Sequence, residues 1–106
     1  MAYPPIPTLM RGTGGAIRIR KRKRPKAWDG TDVWGMWDDS KRLITIDTTA
    51  SREHQWRVLF HELTHAALHD SGMENLFDDK GVEALCDAFA TARMHELRGE
   101  LGIIDS

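Results

Sequence analysis

Alternation is the first pattern along the chain. From Ala16 to Arg24 the residues run A-I-R-I-R-K-R-K-R, with Ile17 and Ile19 set between Arg18 and Arg20. A period of two predicts a short strand with one apolar face, stopped by Pro25. Val33 to Trp37 (V-W-G-M-W) and Leu43 to Asp47 (L-I-T-I-D) read as two further strands. The stretch between them, Asp38 to Arg42, has turn composition and predicts a hairpin. In the later strand Leu43, Thr45 and Asp47 should face one way and Ile44 and Ile46 the other. The period then lengthens. Trp56, Leu59, Phe60, Leu63, Ala66 and Ala67 recur at helical spacing between Ser51 and Asp70. Thr48, Thr49 and Ser51 are N-cap candidates and Gly72 is a stop signal. After a polar connection, Asp79 could cap a second helix running to about Arg98. Val82, Leu85, Phe89 and Ala92 would lie on one side of it, with Gly99 just past its end. The order β-β-β-α-α predicts an α+β domain in which a small antiparallel sheet of about three strands packs on two helices.

Composition adds limits. A length of 106 residues fits one domain, expected over residues 16–106. Residues 1–15 hold Pro4, Pro5, Pro7, Gly12, Gly14 and Gly15, which predicts a flexible N-terminal arm. Hydrophobic residues at 41% and charged residues at 29% are ordinary for a soluble globular protein. No apolar run approaches the roughly 18 residues of a membrane span, and the N-terminus lacks the charged-then-apolar order of a secretory signal. Cys86 is the single cysteine, which rules out an internal disulfide framework. The chain therefore reads as cytoplasmic, with no membrane partner.

The net charge of -1 conceals an uneven distribution. No Asp or Glu precedes Asp29, and the first 28 residues carry 8 of the 15 Lys+Arg. Arg18, Arg20, Lys21, Arg22, Lys23, Arg24 and Lys26 form a basic run that could grip nucleic acid or an acidic partner. No aromatic residue interleaves with these charges. That favours a charge-protected edge strand, or an arm neutralising the acidic body, over a nucleic-acid site.

The chemistry lies in the first helix. His61-Glu62-Leu63-Thr64-His65 is an H-E-x-x-H sequence. Residues four apart on a helix sit about 40° apart around the axis and one turn apart along it, so both imidazoles can reach one ion. Zinc takes neutral imidazole nitrogens in four-coordinate sites. Glu62, on the same turn, can reach a water beside the ion and take its proton. A metzincin would need Gly at position 68 and His at position 71, where this chain has Leu68 and Ser71. A gluzincin takes a Glu from a second helix, and Glu83 is placed for that role. Asp87 follows on the same face, where it can accept the other ring N–H of a ligating histidine.

His61-Glu62-Leu63-Thr64-His65-Ala66-Ala67-Leu68-His69 resembles the H-E-L-x-H-x-x-L-H segment of the ImmA/IrrE-type metallopeptidases. Glu83-Ala84-Leu85-Cys86-Asp87-Ala88-Phe89-Ala90 resembles their E-x-x-A-[ND]-x-F-A segment, with Cys86 where Ala is usual. The strand–turn–strand from Val33 to Asp47 matches in order, so the resemblance covers roughly residues 33 to 93. The chain is also similar to the stripped-down minigluzincins. The resemblance implies a minimal zincin fold and a zinc-dependent endopeptidase acting on a peptide or protein substrate. It also implies a chain often carried by phages and mobile elements, with some relatives inactivating a DNA-binding repressor. Thr64 replaces the usual Gly, and Thr91-Ala92-Arg93-Met94 stands where Leu-Leu-x-Pro is usual. The competing reading is a zinc-containing regulatory protein that turns over nothing and binds DNA or an acidic protein through residues 18–26.

Several residues fall outside this constellation. His69 lies a turn beyond His65, about 12 Å from His61 along the axis, too far to share an ion with it. It is expected to be a buried or supporting histidine. Cys86 is expected to be a small core residue. Trp28, Trp34 and Trp37 fit core packing or a groove wall, and the edge strand before the first helix could bind an extended peptide by strand addition. No residue presents itself as the oxyanion partner.

Overall fold

The computed structural model describes residues 3–103. Residues 1–2 of the expected arm and 104–106 of the expected domain lie outside the described residues. Four strands and two helices follow in order: β1 (Leu9–Gly12), β2 (Gly15–Arg22), β3 (Gly35–Asp38), β4 (Leu43–Asp47), α1 (Arg52–Ser71) and α2 (Asp79–Leu101). A single 3-10 turn, Met73–Leu76, joins the helices. No helix among the described residues is long and apolar enough to cross a membrane.

The expected α+β architecture holds, with one sheet backed by two helices. The sheet is larger and differently wired than expected. It has four strands in the order β1-β2-β4-β3. β3 and β4 form the expected antiparallel hairpin, but β2 runs parallel to β4. Parallel neighbours need a crossover of a dozen or more residues. Residues 23–42 supply it, carrying the chain past β4's place to lay down β3 first. β1 was hidden in the Pro- and Gly-rich stretch. It pairs with β2, Met10 opposite Ile17. Ile6 is only 2% exposed within the core, and Trp56 Nε1 donates to the Pro4 carbonyl. Much of the stretch expected as an arm is thus folded onto the body. β2 lies between β1 and β4, so its basic residues do not protect a sheet edge.

Strand alternation sets the core. Ile17 and Ile19 from β2 meet Ile44 and Ile46 from β4, and Val58, Leu59 and Ala66 of α1 cover them. Burying each of these larger aliphatic side chains contributes about 1.5–3 kcal/mol. Ser51 caps α1 through its side chain, which accepts from the His54 N–H. Gly72 ends the helix at φ 74, a left-handed conformation that glycine adopts without steric cost. At the lower end Arg42 clasps Asp70 with two nitrogens, at 2.7 and 3.0 Å, and donates to the Gly15 carbonyl at 3.1 Å. That clasp ties the β1–β2 turn and the β3–β4 turn to the end of α1.

α2 departs from expectation in two ways. It starts one residue earlier, its cap being Asp78, and it runs through Gly99 to end at Gly102. Its buried residues are Cys86, Ala90 and Met94, while Phe89 is 54% exposed. The helix carries two apolar stripes, and periodicity pointed to the larger one. α1 takes the stripe with small side chains, because Cys86 and Ala90 allow the two helices close together beside Phe60.

Candidate active site

Two neighbouring stripes build the site, one on each helix. His61 and His65 project from the middle of α1, 19% and 23% exposed. On α2, Glu83 and Asp87 flank the buried Cys86–Ala90 row, so the packing of that row fixes their reach toward α1. Glu83 bridges the histidines: Oε2 lies 3.1 Å from His61 Nε2 and Oε1 lies 2.8 Å from His65 Nε2. Asp87 Oδ1 lies 2.9 Å from His61 Nδ1. The structure therefore joins four of the five residues singled out in the sequence, His61, His65, Glu83 and Asp87, in one contact network.

This donor set fits a divalent ion such as zinc. Two imidazole nitrogens and a carboxylate are ligands zinc accepts, and bonds of about 2.0–2.1 Å in a tetrahedron put donors about 3.3 Å apart. The hydrogen-bond arrangement argues the same way. With Nδ1–H of His61 given to Asp87, its Nε2 presents a lone pair to a Glu83 oxygen that also only accepts. A metal ion between them resolves the conflict, as would a second proton on the ring. Cys86 Sγ also comes within 4.8 Å of a donor nitrogen of both histidines, so distance alone admits it as a ligand. Its chemistry is less suited. The thiol is fully buried, and burial, followed by the nearby Glu83, Glu62 and Asp87 carboxylates, pushes it up to about 12. Glu83 offers a carboxylate that already spans both histidines.

Glu62 lies on the β3 side of the same cleft. It is 8% exposed. Burial raises its pKa from 4.5 to about 7, with His61 opposing, Glu83 adding to the rise and the backbone N–H of Trp37 acting to lower it. A general base works best with a pKa near the operating pH. Gly35 on β3 makes this approach possible. A Cβ there would meet Val58 Cγ1 at 2.4 Å, the Thr45 carbonyl at 3.0 Å and Glu62 Cγ at 3.5 Å. Gly35→Ala is therefore expected to destabilise the fold by about 1–3 kcal/mol. A denaturation midpoint equal to wild type would show that α1 does not rest on this glycine.

A cleft of about 650 Å³ opens between β3 and the helices, and all four of His61, Glu62, His65 and Glu83 line it. Trp34 forms one wall, its ring 4.7 Å from that of His54. Arg57 also lines it, held by a 2.9 Å bond from Nη2 to Thr91 Oγ1. His54 and Arg57 sit two turns and one turn before His61 on α1. Sequence reasoning missed both as candidate donors to a developing oxyanion, although their spacing from the motif placed them on its side of the helix. The remaining candidates go elsewhere. His69 is partly exposed and pairs with Glu74 at 2.9 Å, which, with Asp39 and Asp70, raises its pKa. It is neither core nor beside the two histidines. Trp37 is the exception, packing against the core and also lining the cleft, whereas Trp28 is 98% exposed, neither core nor cleft.

Searches among curated proteins and among solved structures return no match. Residues 17–97, from β2 through both helices of the site, match the peptidase M78 family, the IrrE N-terminal-like domain, and the chain belongs to that family.

Proposed function

We infer that the protein is a zinc-dependent endopeptidase of the gluzincin type. The observation that carries this is the meeting of His61, His65 and Glu83 at one point, with the buried carboxylate of Glu62 in the same cleft. His61, His65 and Glu83 would hold the ion. A zinc ion there supplies electrophilic polarisation of a peptide carbonyl and makes water more acidic. Asp87 holds the His61 tautomer that turns Nε2 inward. Glu62 takes the proton of the attacking water and passes it to the leaving amine, a role its raised pKa suits. β3 is a sheet edge beside the cleft, so an extended peptide can add to it as a further strand. Glu62 lies in the cleft on the side of that edge, close to where the scissile bond would lie.

The test is metal content together with chelation. Purified protein should carry one zinc per chain. Its thermal midpoint should fall when a chelator strips the metal, since an ion bound only by the native fold stabilises it. Peptide cleavage should vanish with the metal and return when zinc is restored. A chain that binds no zinc, or that cleaves equally well after stripping, would overturn the reading.

A further inference from the structure

The basic run stands outside this machinery. Ile17 and Ile19 point into the core under α1, so alternation turns Arg18, Arg20 and Arg22 to the opposite face of the sheet. Neither helix packs there. On neighbouring β1, Leu9 lies opposite Arg18, which sets Arg11 on the same face. Arg18, Arg22 and Arg11 are exposed, and Arg20 is held over Thr45 by a 3.3 Å bond from Nη2 to Thr45 Oγ1. Two carboxylates share the face. Asp47 is 5% exposed and already accepts from the Arg24 N–H and from Thr49. Asp38 accepts from Ser40 and Lys41. Neither forms an ion pair with the three arginines among the described residues. Lys23 and Arg24 extend the charge beyond the strand, while Lys26 is paired with Asp32.

We propose that this row of arginines, which lies beside the buried Leu43, Thr45 and Asp47 of β4, binds the phosphate backbone of double-stranded DNA, without sequence preference. Alternate residues of a strand are about 6.6 Å apart, so the three arginines cover about 13 Å. Over that distance one strand of a duplex presents about four phosphates. Arginine's planar fork suits phosphate oxygens. The three arginines are spaced by a central strand with neighbours on both sides, which makes a rigid row rather than a mobile tail. No aromatic ring lies among them, so the face offers contacts to the backbone and none for stacking bases. The site lies across the sheet from the cleft and does not rest on the peptidase reading.

A labelled duplex of arbitrary sequence, titrated by anisotropy over ~50 to ~200 mM salt, tests this. The log–log slope of affinity against salt should be about -3 to -4, at roughly 0.9 per phosphate contacted. Arg18→Gln and Arg22→Gln should each reduce that slope by about one. Combined with Arg20→Gln they should weaken binding at least tenfold at the lowest salt. Lys80→Gln, at the exposed start of α2, should change nothing. Arg18 and Arg22 are exposed, so the single variants remain informative if the triple variant does not fold. Absence of binding at low salt, or binding indifferent to the single variants, would overturn the proposal. So would tighter binding to poly-glutamate or to anionic vesicles than to the duplex.

Discussion

Glu62→Gln is expected to lower the rate of peptide cleavage by about a hundred- to ten-thousandfold while leaving zinc content at the wild-type level. Glu62 lies on the β3 side of the cleft and is not among the proposed ligands, so the amide leaves them intact. It keeps the shape but cannot take a proton. A second consequence separates this role from simple packing. In the metal-free protein the Glu62 carboxyl is raised from 4.5 to about 7, chiefly by burial. As pH rises through that window the unfolded chain releases its proton first, so the folded state is increasingly penalised, and fully so above about 7. Gln carries no such penalty. The metal-free variant should then be more stable than metal-free wild type by up to about 3 kcal/mol near pH 8, and by little near pH 4. A variant that cleaves like wild type would remove Glu62 from the chemistry. A variant no more stable at high pH would show that burial does not hold its pKa up.

Local pattern decided which parts of the molecule were legible in the sequence. β4 and α1 were readable because their apolar residues keep the period of the element, even though all five residues of β4 are buried. Ile44 and Ile46 alternate, Leu59 and Ala66 recur at helical spacing, and Ser51 and Gly72 mark the ends of α1. The H-E-x-x-H sequence gave three residues of the cleft at once, because four residues on a helix impose one geometry. Glu83 and Asp87 were found by their spacing and by resemblance to a known pattern, and the structure sets them against the histidines.

The rest needed three dimensions. β1 is short and lies among prolines and glycines, whose local preferences oppose a strand. Only pairing with β2 makes it one. The parallel placement of β2 beside β4 depends on where a crossover of residues 23–42 folds back, which no local pattern encodes. On α2 the stripe with Phe89 looked more hydrophobic than the stripe of Cys86 and Ala90. What decided was how closely two helices can approach. Gly35 shows the same limit. It reads as a weak point in a strand, yet its missing side chain is what admits Val58 and Glu62.

Glu83→Ala is expected to reduce zinc affinity by more than about a hundredfold, beyond what the loss of a supporting partner such as Asp87 would cost. The Glu83 side chain is 57% exposed, so the alanine variant should fold normally, and the loss would fall on the metal alone. Cys86 makes this the decisive substitution, because its sulfur lies near both histidines and could complete a three-ligand set in place of Glu83. The two candidates predict opposite results. If the carboxylate holds the ion, Glu83→Ala loses zinc and cleavage. Cys86→Ala then keeps both, at the cost of a small cavity beneath α1. If the thiolate holds it, Glu83→Ala retains zinc and Cys86→Ala loses it. Physical chemistry favours the first outcome. Glu83 already spans both histidines, whereas in the metal-free fold the thiol is buried and its pKa is pushed up to about 12. Zinc titration of the two variants beside wild type, with cleavage measured on the same samples, distinguishes them.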